Sequence, residues 1–385
     1  MNPAVPVGTE GHVDLAIVGA GLAGAATAWA ASRKGLSVAL FEQFEVGHRR
    51  GSSHGSARIF RRAYEDELYV RLTGESAQLW RELEADTGTT LLRTTGGLDH
   101  GYQPSLDLID AQLTAAGVPH ELIDARDAVR RWPGVRFESP VVFHPQAGVI
   151  DASATVLACV GASTRRGATI LERTPVTDIV PREDGVLLKA AEKYWLARRV
   201  VIAAGAWVRS VLGDIVPFPP VSVTQQQVFH FLPRDQSVEW PIFVHRRAAD
   251  LVYGLPGGSD GGGQNAVKLA EHGNGTVTTA DGRDGLVDPA ARSRVVEYVK
   301  EWLPGLAPEP LNETTCLYTT TADEDFVLDR RGPIIVCSAC SGHGAKFAPW
   351  IGMEAAKLGS GEEPAEERFR LGRPGLEGPS VFVGK

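Results

Sequence analysis

The length, composition and charge of this chain are typical of a large globular protein. Its 385 residues are 43% hydrophobic, which disfavours disorder, and 43 of them are glycine, which predicts many close backbone approaches. This length predicts a large core and two domains. The net charge of −8 argues against general nucleic-acid binding, because the phosphates would be repelled.

The apolar segment 13–31 raises the question of a signal peptide or a membrane span. Asp14 and three glycines interrupt it, and no lysine or arginine precedes it to form a basic leader. No other run approaches the ~20 apolar residues that a membrane helix needs. We therefore expect a cytoplasmic protein without a membrane partner.

The first predicted elements are a strand, a glycine-rich turn and a helix. Residues 13–18 form an apolar run typical of a buried parallel strand, and an alanine-rich helix is predicted to extend to Lys34. The turn between them has G-x-G-x-x-G spacing, which allows a tight turn and close approach of the backbone to a pyrophosphate. The helix N-terminus offers free N–H groups to the phosphates. The residues predicted to contact the dinucleotide here are Gly19, Gly21, Leu22, Ala23 and Gly24.

A second strand is predicted over residues 37–42, and it ends in Glu42. A carboxylate at this point can hold a ribose 2′-hydroxyl. Strand, glycines, helix, strand and acid in this order predict a site for an adenine dinucleotide. They do not decide between NAD and FAD, so an NAD-dependent dehydrogenase stays open at this point.

The basic segment 49–62 follows the carboxyl end of the second strand, where open α/β sheets bind ligands. Small residues at 51–57 would let the backbone lie against a flat ligand. Arg58 and Arg61 would face the same way in a helix, with one against a ring system and the other on a substrate carboxylate. The alternative is a solvated basic face or a phosphate-binding patch.

Two later segments, 196–207 and 333–357, again have the pattern of a strand followed by glycines. Alternating runs at 221–231 and 243–253 predict an antiparallel sheet. The predicted fold is α/β (α+β), with a Rossmann-like cofactor domain and a second antiparallel-sheet substrate domain. The expected bounds are 1–84, 151–214 and 326–385 for the discontinuous cofactor domain, and 85–150 and 215–325 for the substrate domain.

Three further segments carry weaker signals. The glycine-rich stretch 254–263 predicts a flexible loop that serves as a lid, and the tail after Gly359 predicts a surface extension. Cys337 and Cys340 form a C-x-x-C, which would suit redox or zinc chemistry. They lie in an apolar run without a second Cys or His pair at zinc spacing, so inert core thiols are favoured. Four cysteines are also too few for a disulfide framework.

Four sequence blocks, taken in order, resemble one known family. They are Gly19-x-Gly21-x-x-Gly24, Ser53-His54-Gly55-x-x-Arg58-x-x-Arg61, Cys316-x-Tyr318-Thr319 and Ser341-Gly342-His343-Gly344-x-Lys346-Phe347. Over about residues 12–360 the chain resembles the monomeric sarcosine oxidase and N-methyltryptophan oxidase family of the D-amino-acid oxidase superfamily. The resemblance implies a monomeric FAD-dependent oxidase that converts the C–N bond of an N-methyl or cyclic amino acid, or a related amine, to an imine. Oxygen would be reduced to hydrogen peroxide.

The resemblance implies that FAD is attached covalently through an 8α-S-cysteinyl bond to Cys316. On its own this cysteine would be read as a small core residue. Backbone N–H groups of the turn at 341–346 would stabilise the negative charge of reduced flavin. The complete predicted cofactor set is Gly19, Gly21, Leu22, Ala23, Gly24, Glu42, Ser52, Ser53, His54, Arg58, Val176, Gly205, Trp207, Cys316, Gly342, His343, Gly344 and Lys346.

The resemblance also implies the groups that act on substrate and oxygen. Arg61 and Lys346 would bind the substrate carboxylate, and Lys268 would stabilise developing superoxide across the flavin from Arg58. Without the family blocks, both lysines would be read as solvated. The other predicted catalytic residues are His272, which would tune the protonation of the amine, and Tyr253 and Tyr318, which would order the substrate.

Three departures from the family pattern concern the substrate end. Residues 256–265 are longer and richer in glycine than in sarcosine-specific members, residues 245–247 are basic, and Ala57 replaces a hydroxyl residue. These differences predict a substrate that is bulkier or more acidic than sarcosine. The alternatives kept open are a noncovalent glycine or D-amino-acid oxidase, a dehydrogenase that passes electrons to a partner, and a flavin-binding subunit without turnover.

Overall fold

The computed structural model describes residues 9–248, 250–262 and 265–376. The helices are α1 (Leu22–Arg33), α2 (Glu67–Thr87), α3 (Gln103–Ala115), α4 (Ala125–Arg131), α5 (Ala152–Arg165), α6 (Val208–Leu212), α7 (Pro289–Trp302) and α8 (Ala348–Ser360). The strands are β1 (Thr9–Val18), β2 (Val38–Phe41), β3 (Arg58–Phe60), β4 (Leu92–Thr94), β5 (Gly97–Gly101), β6 (Glu121–Ile123), β7 (Val141–His144), β8 (Gly148–Ile150), β9 (Thr169–Leu171), β10 (Val176–Arg182), β11 (Gly185–Ala190), β12 (Lys193–Ile202), β13 (Ser222–Pro233), β14 (Ile242–Arg246), β15 (Leu251–Pro256), β16 (Val267–Glu271), β17 (Thr276–Thr278), β18 (Leu306–Thr320), β19 (Val327–Arg331) and β20 (Ile334–Ser338).

Aspartate side chains begin four of the helices. Asp66, Asp124, Asp151 and Asp288 each accept a hydrogen bond from a backbone N–H of the first turn, at the starts of α2, α4, α5 and α7. This pairing satisfies donors that no helical carbonyl can reach. Helix α1 has no side-chain cap from its own N-cap residue, Gly21, and among the described residues only its Leu22 N–H is bonded to a side chain, that of Ser53.

The first sheet has a parallel centre with antiparallel strands at its margins. Its order is β10-β11-β12-β1-β2-β9, and β20 lies parallel to β12 and pairs with β19. Leu15 and Ile17 of β1 pack in the same core as α1 and α8, while Ala16 and Val18 face the core beneath β10–β12. Both faces of β1 are therefore buried, as the continuous apolar run predicted.

The second sheet has the order β17-β13-β16-β15-β14-β5-β7-β6, with β18 on the free side of β13. Phe229, Phe231 and Phe243 pack with α7 on one face of it. The antiparallel sheet predicted from the runs 221–231 and 243–253 is confirmed, and the second run is divided between β14, which ends at Arg246, and β15, which begins at Leu251. Between these two strands the Arg247 N–H donates to the Asp250 carbonyl.

The third sheet has the order β3-β8-β4, and it decides the conformation of the Arg58 segment. Arg58 lies in β3, opposite Ile150 of β8, so residues 58–60 are extended rather than helical. Side chains alternate across a strand, and Arg58 and Arg61 therefore do not share a face by helical spacing. The strands of the first sheet come from segments 9–41, 169–202 and 327–338, and those of the second from 97–144 and 222–320. The predicted domain bounds stay a prediction.

The predicted lid and tail lie partly outside the described residues, which omit 263–264 and 377–385. The described part of the lid forms a short 3₁₀ helix, Gly258–Gly261, and Asp260 accepts a hydrogen bond from the Ser56 N–H. Most of residues 360–376 are exposed or half-buried, but Phe369, Leu371 and Leu376 depart from the predicted surface extension because they are buried. Phe369 is buried against Trp350 and Phe326, because this aromatic side chain fills the gap beside α8.

No helix among the residues that the structure describes is long and apolar enough to cross a membrane.

The packing of α8 on α1 gives a test of the fold. A Cβ at Gly352 would lie 2.5 Å from the Ala26 carbonyl oxygen, so Gly352→Ala forces the two helices apart. We expect it to lower the free energy of unfolding in urea by about 1–3 kcal/mol. Gly161→Ala in α5 is the matched control, because its Cβ meets nothing closer than 3.6 Å. The control should be neutral or stabilising by up to about 1 kcal/mol, and equal losses in both variants would contradict this account.

Candidate active site

One cavity of about 820 Å³ contains nearly all of the residues predicted to contact cofactor or substrate. Gly24 is the exception, because it lies against the backbone instead. A Cβ at Gly24 would overlap the Gly19 carbonyl oxygen, and Gly19 itself has a positive φ of 102°. Only glycine permits this close packing of α1 on the turn after β1. The turn and the start of α1 form one end of the cavity.

Glu42 lies at the same end and is held as a carboxylate. Its Oε2 accepts a hydrogen bond of 2.9 Å from the Ala20 N–H, and Oε1 accepts one of 2.9 Å from the Phe44 N–H. Burial alone would raise the Glu42 pKa, but His48 and these N–H groups lower it below its usual range. Three other predicted residues, Val176, Gly205 and Trp207, line this end of the cavity.

The segment 52–57 runs from the dinucleotide end to the middle of the cavity. Ser53 Oγ accepts from the Leu22 N–H at 3.0 Å, and Ser52 Oγ donates to the Leu317 carbonyl at 2.6 Å. His54 is buried, and burial together with nearby Arg58 lowers its pKa to about 3. His54 is therefore neutral at physiological pH, and its Nε2 has no hydrogen-bond partner within the described part of the chain.

Arg58 and Lys268 converge on one carbonyl group in the middle of the cavity. Arg58 donates to the carbonyls of Ser52, His54 and Ala57, at 3.0, 2.6 and 2.8 Å, and Lys268 Nζ donates to the Ala57 carbonyl at 3.0 Å. Burial, and then the charge of Arg58, lowers the Lys268 pKa to about 7. Lys268 is thus a buried amine and not a solvated side chain of the sheet.

Cys316 lies in the cavity wall on β18. It is a free cysteine, buried beside Val228 and Ala270, and two residues before Tyr318 on the same face of the strand. Cys337 is buried in β20, whereas Cys340 follows that strand and its Sγ accepts from the Thr319 N–H. Cys340 also lines the cavity, so it is not a core thiol of the predicted strand.

His272 and two tyrosines form the wall opposite the Arg58 segment. His272 Nδ1 lies 3.2 Å from the Tyr318 hydroxyl, and the Tyr253 ring centroid lies 6.2 Å from that of His272. Burial lowers the His272 pKa to about 3, and the nearby cations Lys346, Arg61 and Arg246 lower it further in the same direction. The imidazole is therefore neutral. Burial raises the Tyr253 pKa to about 12.

Arg61 and Lys346 lie together at the substrate end of the cavity. Lys346 Nζ donates to the Tyr64 hydroxyl at 2.9 Å and to the His343 carbonyl at 3.1 Å. Arg61 lies over the Tyr64 ring at 4.9 Å and donates to Asp99 at 3.4 Å. Burial, and then the charge of Arg61, lowers the Lys346 pKa well below its usual value. Lys346 is not a solvated lysine at a helix start.

The turn before α8 brings backbone close to this end of the cavity. Gly342 has a φ of 75°, and a Cβ there would lie 2.7 Å from the His272 ring and from the Tyr318 ring. A Cβ at Gly344 would overlap the Ala339 carbonyl oxygen. Glycine at these positions lets the turn lie against the cavity. The N–H groups of His343 and Gly344 donate to the Cys340 carbonyl, so they are not the free donors that the sequence predicted for the reduced flavin.

Sequence reasoning missed two residues that support this end. Tyr64 bonds Lys346 and lies 3.2 Å from His343 Nδ1, although it stands only three positions after Arg61. Asp99 is fully buried and bonds Arg61 and His144. Strand β5 has the sequence Gly-Leu-Asp-His-Gly, so no apolar pattern marked Asp99 as buried, and its need for partners is visible only in the structure.

The cavity fits a flavin adenine dinucleotide. One end has the glycine turn, the N-terminus of α1 and the Glu42 carboxylate, which suit an ADP moiety. The other has the buried amines of Lys268 and Lys346, which suit a ring that gains negative charge on reduction. Together these donors match FAD along the length of one cavity.

Known proteins agree with this assignment. Residues 14–358 match the family of FAD dependent oxidoreductases, DAO. Monomeric sarcosine oxidase of Streptomyces avermitilis is 34% identical, over 90% of this chain and 93% of that protein. N-methyl-L-tryptophan oxidase of Yersinia pestis is 31% identical, over 91% and 96%.

Among solved structures, NikD, an unusual amino acid oxidase essential for nikkomycin biosynthesis, is 25% identical in its open form. The TM-score is 0.82, and the match covers 93% of this chain and 97% of NikD. The family match spans most of the chain, and both sequence relatives exceed 30% identity over nine-tenths of it. The chain therefore belongs to the DAO family of FAD-dependent oxidoreductases, in the group that contains the monomeric sarcosine and N-methyltryptophan oxidases.

Proposed function

We propose that this protein oxidises an N-methyl or cyclic amino acid, or a related secondary amine, at its C–N bond and passes the electrons to oxygen. The observation that carries the proposal is the pairing of Arg61 with Lys346 at one end of the cavity, next to the neutral imidazole of His272. These groups suit a small molecule with a carboxylate and an uncharged amine. Bound FAD supplies the acceptor for the hydride equivalent that leaves the carbon beside the amine nitrogen.

The substrate carboxylate would bind between Arg61 and Lys346. A guanidinium can accept a carboxylate through two hydrogen bonds, and the desolvated lysine regains a favourable charge partner when an anion arrives. Tyr64 and Asp99 hold these two cations in place before substrate binds. Burial and the nearby cations that lower the His272 pKa would also favour the neutral form of an amine bound beside it, which is the form that can be oxidised.

The products follow from the balance of atoms and electrons. Loss of two electrons and two protons from the amine gives an imine, which water hydrolyses, and oxygen takes up the same electrons and protons as hydrogen peroxide. Lys268 would stabilise the negative charge that forms on oxygen, because a fixed cation in a buried site needs no reorganisation. Its hydrogen bond to the Ala57 carbonyl holds it at the cavity wall.

We also propose that Cys316 bonds covalently to the flavin: a C–S bond would form as the thiol S–H bond and one C–H bond of the ring methyl group break, and oxygen would take up the two electrons and two protons. Its thiol lies in the wall of the cavity and has no disulfide partner. The cytoplasmic location and the monomeric state stay predictions from the sequence. Among the alternatives, a noncovalent oxidase and an electron-donating dehydrogenase differ from the proposal in measurable ways.

The substrate class is tested by anaerobic reduction of the flavin. We expect N-methyl and cyclic amino acids to bleach the flavin band, and turnover in air to release one hydrogen peroxide per imine. Lys346→Met should lower kcat/KM roughly 10- to 100-fold for a carboxylate substrate, but much less for an amine that lacks the carboxylate. Bleaching by no amine would point to a flavin subunit without turnover, and bleaching without peroxide would point to a dehydrogenase.

The oxygen role of Lys268 is tested by stopped-flow reoxidation of the reduced enzyme. Lys268→Met should slow the reaction with oxygen by roughly 10²–10³-fold while flavin reduction by substrate changes far less. Because Lys268 is charged only below its pKa, about 7 in the ligand-free site, the wild-type reoxidation rate should fall as pH rises through the pKa. The exposed Lys300→Met is the control. An unchanged reoxidation rate in Lys268→Met would refute the role.

The covalent bond is tested by acid precipitation of the holoenzyme. The wild-type pellet should stay yellow, because the flavin remains attached to the chain, and Cys316→Ser should release the colour into the supernatant. Cys340→Ser is the matched control, since Cys340 also lines the cavity. A colourless wild-type pellet would favour the noncovalent oxidase.

A further inference from the structure

The turn that follows β15 is bonded to the segment 52–57. Asp260 Oδ2 accepts a hydrogen bond of 2.8 Å from the Ser56 N–H, and the Asp260 N–H donates to Ser56 Oγ at 3.0 Å. The Asp260 carbonyl also accepts a hydrogen bond of 2.9 Å from the side-chain amide of Asn312 on β18. These three bonds fix the 258–261 turn between the segment and β18.

Asp260 and Lys268 meet at the same short stretch of backbone. Both residues line the cavity. Asp260 bonds the N–H of Ser56, and Lys268 Nζ bonds the carbonyl of the next residue. A Cβ at Gly55 would lie 2.6 Å from Asp260 Oδ2 and 3.3 Å from Arg58 Nη1, so this carboxylate also lies close to the Arg58 guanidinium group. One carboxylate therefore lies beside the two cations in the middle of the cavity.

The other acidic side chains that line the cavity are engaged elsewhere. In the part of the chain that the structure describes they are Glu42, Asp281 and Glu313. Glu42 binds backbone N–H groups at the dinucleotide end, Asp281 accepts from an indole N–H, and Glu313 pairs with an arginine of α7. Among these residues Asp260 is therefore the carboxylate placed to act on Lys268.

The amine of Lys268 is subject to opposing influences. Burial, and then the charge of Arg58, lower its pKa to about 7. Cys316 and Asp260 act in the opposite direction, because a negative charge nearby favours the protonated amine. Asp260 therefore offsets part of the repulsion between Lys268 and Arg58.

Three further titratable side chains lie around Lys268 among the described residues. His54 belongs to the segment 52–57, and His230 lies directly opposite Lys268 on β13. Burial lowers the pKa of these two imidazoles to about 3 and about 4, so both are neutral near pH 7. Cys316 would carry no charge once its sulfur is bonded to the flavin. The carboxylate of the turn would then be the group that favours the charged amine.

We propose that Asp260 is a positioning residue for the oxygen reaction, whose carboxylate holds Lys268 in its charged form near neutral pH. This inference rests on the proposed function, because that function assigns the oxygen reaction to Lys268. A negative charge beside the amine favours its protonated form, and the protonated amine stabilises the charge that develops on oxygen. The alternative is that Asp260 only holds the 258–261 turn on Ser56.

The charge of Asp260 is tested by the pH dependence of flavin reoxidation, measured by stopped flow on holoenzyme that has been reduced with dithionite. Asp260→Asn removes the charge but keeps an oxygen for the Ser56 N–H. Lys268 should then lose its proton at lower pH, so the pH at which the rate falls should move down by about one pH unit. At pH 8 we expect reoxidation roughly 3- to 10-fold slower than in the wild type, and the two rates should converge in acid.

Two further variants separate the charge from the structure of the turn. Asp260→Glu should recover most of the wild-type profile, because it returns the carboxylate. Asp235→Asn is the matched control and should keep the wild-type profile, since it removes an equal charge from an exposed turn that Asp235 caps at Ser237. If Asp260→Asn slows reoxidation by the same factor at every pH, or leaves the profile unchanged, Asp260 does not act through the charge of Lys268 and the proposal is wrong.

The absorption spectrum of the oxidised flavin gives a second readout, which needs neither amine nor oxygen. The charge of a buried amine beside the ring perturbs the flavin band, so the wild-type spectrum should change with pH through a transition that Lys268→Met removes. Asp260→Asn should move the midpoint of this transition to lower pH. A wild-type spectrum without such a transition, or a midpoint that Asp260→Asn leaves in place, would overturn the proposal.

Failure of the proposed function would give a different result. Reduced flavin that does not react with oxygen at any pH would defeat the assignment of an oxidase, and flavin that no amine reduces would defeat the assignment of the substrate class. In both cases the midpoint in the spectrum would still decide whether Asp260 sets the charge of Lys268.

Discussion

The hydrogen bonds from Arg58 to three carbonyls hold the segment 52–57, which contacts several separate elements of the site. This short segment contacts the start of α1 through Ser53, β18 through Ser52, and the 258–261 turn through Ser56. It also presents the Ala57 carbonyl to Lys268. The dinucleotide end, the strand with the candidate flavin attachment and the candidate oxygen site are therefore positioned by one guanidinium group, whose own backbone is fixed in β3.

Burial determines the charge state of the basic side chains in the middle and at the substrate end of the cavity. Desolvation lowers the pKa of Lys268 and of Lys346, and it keeps His272 neutral. Such groups are poorly stabilised without anions, because protein interiors do not screen charge as water does. In the proposed function, the carboxylate of the substrate and the negative charge on reduced flavin and oxygen would supply these anions. The same physical argument would then link substrate binding to oxygen reduction.

Reasoning from sequence was most accurate where one segment contains the whole signal. The strand, turn and helix at residues 13–34 have the predicted types and order, because glycine spacing and apolar runs act locally. It did not find that Arg58 lies in a strand that pairs with distant Ile150, nor that the run 243–253 is divided into two strands. The charged composition of the tail also did not predict that Phe369 is buried. In each case the deciding contact is far away in sequence.

Local signals and a family resemblance were enough to assign the dinucleotide end, the FAD chemistry and a set of site residues of which all but Gly24 line the cavity. They were not enough to find the buried pairs of Asp99 with Arg61, His144 and Arg246, which come from β5, β7, β14 and the residue after β3. Which of the basic residues at 245–247 lies against Asp99 depends on the strand register, since neighbouring side chains point to opposite faces of a sheet. Only the folded sheet brings Arg246, and not His245 or Arg247, to Asp99, because that contact depends on how separate strands pair.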